Sequence, residues 1–107
     1  MSYEAPQIIH PSAAEAAGGN VPFAVPNGSQ VNVWVNITSA GTTITFSLQW
    51  SHDGVTYGAA DPADTFTAIT TAIAVAKTFT RKGPYCRLVW TLTGSFTFEA
   101  RASVVGA

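Results

Sequence analysis

The sequence predicts an all-β fold: an antiparallel β-sandwich, jelly-roll-like or closed into a small barrel, with an extended N-terminal arm. Three observations carry this expectation. From Gly28 onward apolar and polar residues alternate with period two, the pattern of strands buried on one face. Turn-forming pairs punctuate the alternating runs at Ala40-Gly41, Asp53-Gly54, Asp61-Pro62, Gly83-Pro84 and Thr93-Gly94. No stretch accommodates the roughly 30 residues of a strand–helix–strand unit, which leaves many short antiparallel strands.

Taken in order, residues 1–28 form the expected arm and residues 29–107 the sandwich domain. Pro6, Pro11, Pro22 and Pro26 exclude a long helix or a central strand from the arm. Ser12 to Gly18 reads as one or two helical turns, with Ser12 as N-cap, Glu15 as its capping-box partner and Gly18 as the stop. Ile8-Ile9 and Phe23-Ala24-Val25 are short apolar pieces between the prolines. Ile8, Ile9, Phe23 and Val25 are therefore candidate interface residues, expected against another chain or the sandwich edge. On this reading, removing Met1 to Gly19 leaves the sandwich folded. Strands follow over Val31–Ile37, Ile44–Trp50, Ile73–Thr80, Cys86–Leu92 and Phe96–Val104, with a short one at Phe66–Ile69.

Composition bounds the function. A chain of 107 residues makes one domain and buries roughly 65% of its unfolded surface. Only 10% of residues are charged, against about 25% in ordinary soluble domains. A surface this poor in charge is expected to be covered by partners or by further copies of the chain. The net charge of −1 argues against nucleic-acid binding through a basic face. A single Cys excludes an internal disulfide and a multi-cysteine zinc site. Met1 to His10 lacks the features of a signal peptide, and no apolar run approaches the roughly 18 residues of a spanning helix. Synthesis in a cytoplasm and no membrane association are expected.

Residues with chemical potential have plainer uses. Ser51, His52 and Asp53 are triad residue types, but neighbours on one turn do not line up as nucleophile, base and orienter. A hairpin turn with Asp53-Gly54 at its tip is expected instead. Asp61 and Asp64 are too few for the six to eight oxygens calcium takes, and read as loop caps. Cys86 sits on the alternation of Leu88 and Trp90 and reads as a buried thiol. Lys77, Arg81, Lys82 and Arg87 read as a solvated edge that discourages strand addition, with an acidic protein surface as the alternative partner. Asn27-Gly28-Ser29 and Asn36-Ile37-Thr38 match glycosylation acceptors and are read as accidental. Neither catalytic residues nor a cofactor or metal site is expected.

Aromatic residues outside the core are the functional clue. Trp34 falls on the Asn32/Asn36 side of its strand, opposite the side of Val33 and Val35, and is expected to be exposed. Tyr57 follows the Asp53-Gly54 turn, and Tyr3 lies in the arm. Exposed Trp and Tyr are enriched at interfaces, so Trp34 and Tyr57 join the candidate interface residues. A sugar-binding groove using both rings is the alternative.

Two motifs carry a resemblance. Ser51, Asp53, Gly54 and Tyr57 match S-x-D-G-x-x-[WY], and Gly83, Tyr85, Arg87, Leu88 and Trp90 match G-x-Y-x-R-[VL]-x-W. In this order, after the alternating run VNVWVNI, they make Val31 to Ala107 resemble small β-sandwich proteins of tailed-phage virions, the capsid decoration (cement) type in particular. The resemblance implies a non-enzymatic virion protein on the capsid surface, bound to the phage major capsid protein and homo-oligomeric, a trimer being preferred. Head fibres and tail components, with receptor- or carbohydrate-binding roles, are the alternative within the same resemblance.

Overall fold

The computed structural model describes residues 6–106 and contains eight strands. They are β1 (Gln7–Glu15), β2 (Gly19–Ala24), β3 (Gln30–Ser39), β4 (Thr43–Ser51), β5 (Gly58–Thr65), β6 (Ala74–Thr80), β7 (Tyr85–Thr93) and β8 (Phe96–Val105). One four-stranded sheet has the order β1-β8-β3-β6, the other β2-β7-β4-β5, and every neighbouring pair is antiparallel. The two sheets pack as a β-sandwich. Strand pairs 1–8, 2–7, 3–6 and 4–5 are those of one long hairpin rolled up on itself, the arrangement of a jelly roll.

Alternation builds the core. Val31, Val33, Val35 and Ile37 from β3 face Ile44, Phe46 and Leu48 from β4, joined by Leu88 and Trp90 from β7 and Phe96 and Phe98 from β8, all buried. Phe98 lies at the aromatic centre. Its ring meets Phe46 edge-on at 5.1 Å and Trp90 edge-on at 5.3 Å. His10 stacks on Phe98 at 4.1 Å and 16°, and its Nδ1 lies 3.1 Å from the Phe98 carbonyl oxygen. A buried polar ring is tolerable there because the carbonyl satisfies it.

The expected boundary at residue 28 does not separate an arm from the sandwich. The segment is extended, but β1 pairs along β8 and β2 along β7, so both are edge strands of the domain. Phe23 and Val25 are core residues, Val25 with no exposed surface; Ile9 packs partly buried against the core, and Ile8 alone stays more than half exposed. Edge pairing also replaces the helical turns expected over Ser12–Gly18. Prolines are accommodated by geometry rather than by exclusion. Pro11 falls where the β1–β8 register shifts, between His10 and Ala13. Val25 N donates to Pro84 O at 2.8 Å, so the pairs at two-residue steps from it bond inward and the Pro22 nitrogen faces the free edge.

Two further expectations change. Phe66–Ile69 is not a strand; Ile69 makes one bridge with Ile44, and Phe66 N donates to Phe46 O. Asp61-Pro62 is not a turn between strands but an excursion inside β5, where the partner of β4 jumps from Asp64 to Ala59.

Because β1 supplies the ring against Phe98 and Ala17 O accepts the Trp90 indole N–H at 3.1 Å, removing Met1 to Gly19 should lower the melting temperature sharply and abolish the near-ultraviolet dichroism of the aromatic core. An unchanged melting curve would show that β1 is dispensable to the folded unit.

Candidate functional site

The turn between β4 and β5 is built from the residues that resembled a triad. Ser51 Oγ donates to Asp53 Oδ1 at 2.9 Å and accepts from Gly54 N at 2.9 Å. Asp53 Oδ1 also accepts from Val55 N and Thr56 N, each at 2.8 Å. These bonds to Thr56, Val55 and Ser51 hold the Asp53 carboxyl at about 2, below its usual 3.8. Gly54 takes a φ of +77°, which favours glycine. Ser51 and Asp53 are thus occupied in shaping the turn, and His52 is exposed beside them.

This turn docks on the start of β7. A Cβ on Gly83 would lie 2.9 Å from the Ser51 carbonyl oxygen, and one on Gly54 would touch the Tyr85 ring at 3.5 Å. Tyr57 is half-buried under Arg87, whose guanidinium carbon sits 4.6 Å from the ring centroid and whose Nε donates to Gln49 Oε1 at 2.7 Å. The two resemblance motifs therefore form one packing unit. Within it the Arg87 guanidinium covers the Tyr57 ring.

The basic residues do not form a patch. Lys82 bridges Asp64 at 2.8 Å and lies over the Trp50 ring, whose N–H donates to the same carboxylate at 2.8 Å. Asp64 is thereby occupied, and among the described residues no group of three or more His, Cys, Asp or Glu side chains could hold a metal ion. Arg81 Nε donates to Val25 O at 2.8 Å. Cys86 is wholly buried. Burial foremost, and the nearby Asp64 charge second, push its thiol up to about 12.

Trp34 stands in a different setting. It is half-buried rather than exposed, on the outer face of the β1-β8-β3-β6 sheet, opposite Arg101 on β8 and Ala76 on β6. The Arg101 guanidinium carbon lies 5.8 Å from its ring, held by a 2.7 Å bond from Nε to Glu99 Oε1. One register step away Asn32 is opposite Ser103. With Pro6 as a wall, these side chains frame a hollow of about 350 Å³. An indole beside an amide, a hydroxyl and a guanidinium offers an apolar floor with polar edges, suited to a partner side chain or a sugar ring.

Tyr57 lies by Gln49 and Arg87 on the outer face of the other sheet, so the two rings point away from each other and cannot line one groove. Tyr3 lies outside the described residues. Sequence reasoning singled out Trp34 by its position in the alternation but missed Arg101, Asn32 and Ser103, because only strand register brings them beside it. No protein-family model matches this chain, and no curated protein matches it in sequence.

Two outcomes test this assignment of side chains. Since the folded Asp53 titrates below its unfolded value, its bonds are intact above the ordinary carboxylate range and are lost as pH falls toward 2. Ser51→Ala should raise the Asp53 midpoint in a carboxyl-detected NMR titration; an unmoved midpoint would remove Ser51 from the turn's support. Native Cys86 should resist a thiol reagent at pH 8 and react promptly in denaturant. Rapid labelling of the folded protein would contradict its burial.

Proposed function

We propose that this chain is a non-enzymatic structural protein of a tailed-phage virion, a capsid decoration (cement) protein. Its partner is the major capsid protein at the outer capsid surface, and it acts as a homo-oligomer, a trimer being preferred. The observation that carries this reading is the outer sheet face around Trp34, where an indole that its own core does not need sits in a shallow, polar-edged hollow. Large rings in such settings supply binding energy when a partner covers them. Three further features support it. Jelly rolls recur in viral capsid domains, although a fold alone does not assign a role. Surface charge is sparse. Val55, at the β4–β5 turn, and Ile8, on β1, remain exposed as apolar side chains.

The alternative is a sugar- or receptor-binding module of a head fibre or tail component. It is narrowed to Trp34 alone, since Tyr57 lies on the opposite face. What favours it is the company of Trp34: Asn32, Ser103 and Arg101 are hydrogen-bonding groups at the edge of an aromatic floor, an arrangement that also suits a pyranose ring.

Purified particles should contain this chain at a fixed stoichiometry to the coat protein, measured by mass spectrometry. Trp34→Ala should cut particle occupancy about tenfold or more, as expected of a hot-spot ring, with little change in melting temperature. A core Trp would cost about 3–5 kcal/mol of stability instead. Particles that lack the chain, combined with glycan binding that Trp34→Ala abolishes, would overturn the decoration reading in favour of the alternative.

A further inference from the structure

Four strands lie at sheet edges: β1, β2, β5 and β6. Free edges are templates for pairing, and proteins blunt them with prolines, bulges and charges. β1 carries Pro11 and two register shifts, β2 carries Pro22, and β5 carries Pro62 and its excursion. β6 has neither. It pairs with β3 in unbroken register from Gln30–Thr80 to Asn36–Ala74.

The sense of its hydrogen bonds follows from its ends. Ile37 N donates to Ile73 O, and Arg81 N donates to Ser29 O, each at 3.0 Å. Odd-numbered residues of β6 therefore bond to β3, and the N–H and C=O groups of Ala74, Ala76 and Thr78 face the free edge. Those residues carry small side chains, which leave an arriving strand unobstructed. The odd side chains Val75, Lys77 and Phe79 oppose Val35, Val33 and Val31 on the same sheet face; Phe79 is buried, Val75 half-buried and Lys77 exposed at the rim.

On that side a groove of about 510 Å³ lies between β6 and the 66–73 crossover. Phe66, Ile69, Ile73 and Val75 give it an apolar lining, and Lys77 is the single charge in it. The Lys77 ammonium donates to Thr65 O at 2.6 Å and has no carboxylate partner among the described residues.

We propose that β6 is a strand-addition site for an extended segment of another protein, one that places apolar side chains and a carboxylate at alternate positions. Backbone bonds to Ala74, Ala76 and Thr78 add the segment as a fifth strand of the sheet. Its apolar side chains enter the groove beside Ile73 and Val75, and its carboxylate meets Lys77. Lys77 then has two effects: it repels a second β6 edge, which would bring another lysine, and it admits an acidic strand. Alternate side chains set specificity while the main chain supplies affinity. The inference stands apart from the virion reading, since it concerns the free backbone edge of β6 and not the outer-face hollow, although Ala76 is the cross-strand neighbour of Trp34.

The probe is a short synthetic peptide in which threonine alternates with valine, glutamate and valine, with a control bearing lysine for glutamate. Titration followed by NMR and amide hydrogen exchange should show protection of Ala76 and Thr78, with the control weaker by about tenfold. Ala76→Pro removes an edge-facing N–H and leaves the β3 ladder intact; it should melt like the parent chain and lose peptide binding. Should it fail to fold, Lys77→Glu provides the second variant and should reverse the preference between the two peptides. Equal binding of both peptides, protection confined to other strands, or a β6-mediated dimer that forms without peptide would each overturn the proposal.

Discussion

Everything in this domain depends on the nesting of its strand pairs around the β4–β5 turn. The pairs of β3 with β6, β2 with β7 and β1 with β8 nest outward from that turn, and rolling this ribbon into two layers adds the contacts of β3 with β8 and of β4 with β7. The roll sets Phe46 of one sheet against Phe98 of the other, which gives the core its aromatic centre. The turn itself is held by Ser51 and Asp53, whose hydrogen bonds are local, and by Gly83 between β6 and β7, whose bare backbone approaches the Ser51 carbonyl.

That logic explains which parts of the fold were legible in the sequence. β3, β4, β7 and β8 are buried on one face and alternate cleanly, so periodicity finds them. β5 reads Gly-Ala-Ala-Asp-Pro-Ala-Asp-Thr and is almost entirely exposed; with no buried face it has no period to detect. In the sequence β1 and β2 read as an arm because proline argues against central strands, and it does. Edges obey another rule, and Pro11 and Pro22 sit where a missing N–H costs nothing in the ladder. The site was legible to the same degree: Trp34 stands out in one strand, whereas its neighbours come from β8 through a register that local sequence does not reveal.

Scarcity of charge takes on a specific meaning in the structure. The chain has five Lys and Arg residues, and each contacts the fold: Lys77 on Thr65, Arg81 on Val25, Lys82 on Asp64, Arg87 on Gln49 and Tyr57, Arg101 on Glu99 and Trp34. These cations pin loops and cover aromatic rings more than they solvate a surface. Exposed pairs of this kind contribute little individually, about 0–1 kcal/mol, so their value lies in orienting the rings and carbonyls they touch. What faces solvent between them is largely Thr, Ser, Ala and backbone.

Nested pairing also has a kinetic side. The outermost partners, Gln7 and Ala102, lie almost the full length of the chain apart, and nearly all tertiary contacts join residues distant in sequence. Loop-closure entropy must be met before such contacts stabilise anything, and domains dominated by non-local strand pairing fold on the order of milliseconds to seconds rather than microseconds. The economical order runs outward from the β4–β5 turn, each closed pair shortening the loop that the next must close. During ribosomal synthesis β1 to β4 emerge before any of their hairpin partners, so their apolar faces wait uncovered until the second half of the chain appears. A nascent chain of this topology therefore carries uncovered apolar strand faces through the first half of its synthesis, and Pro22 leaves the free edge of β2 a poor template for another strand.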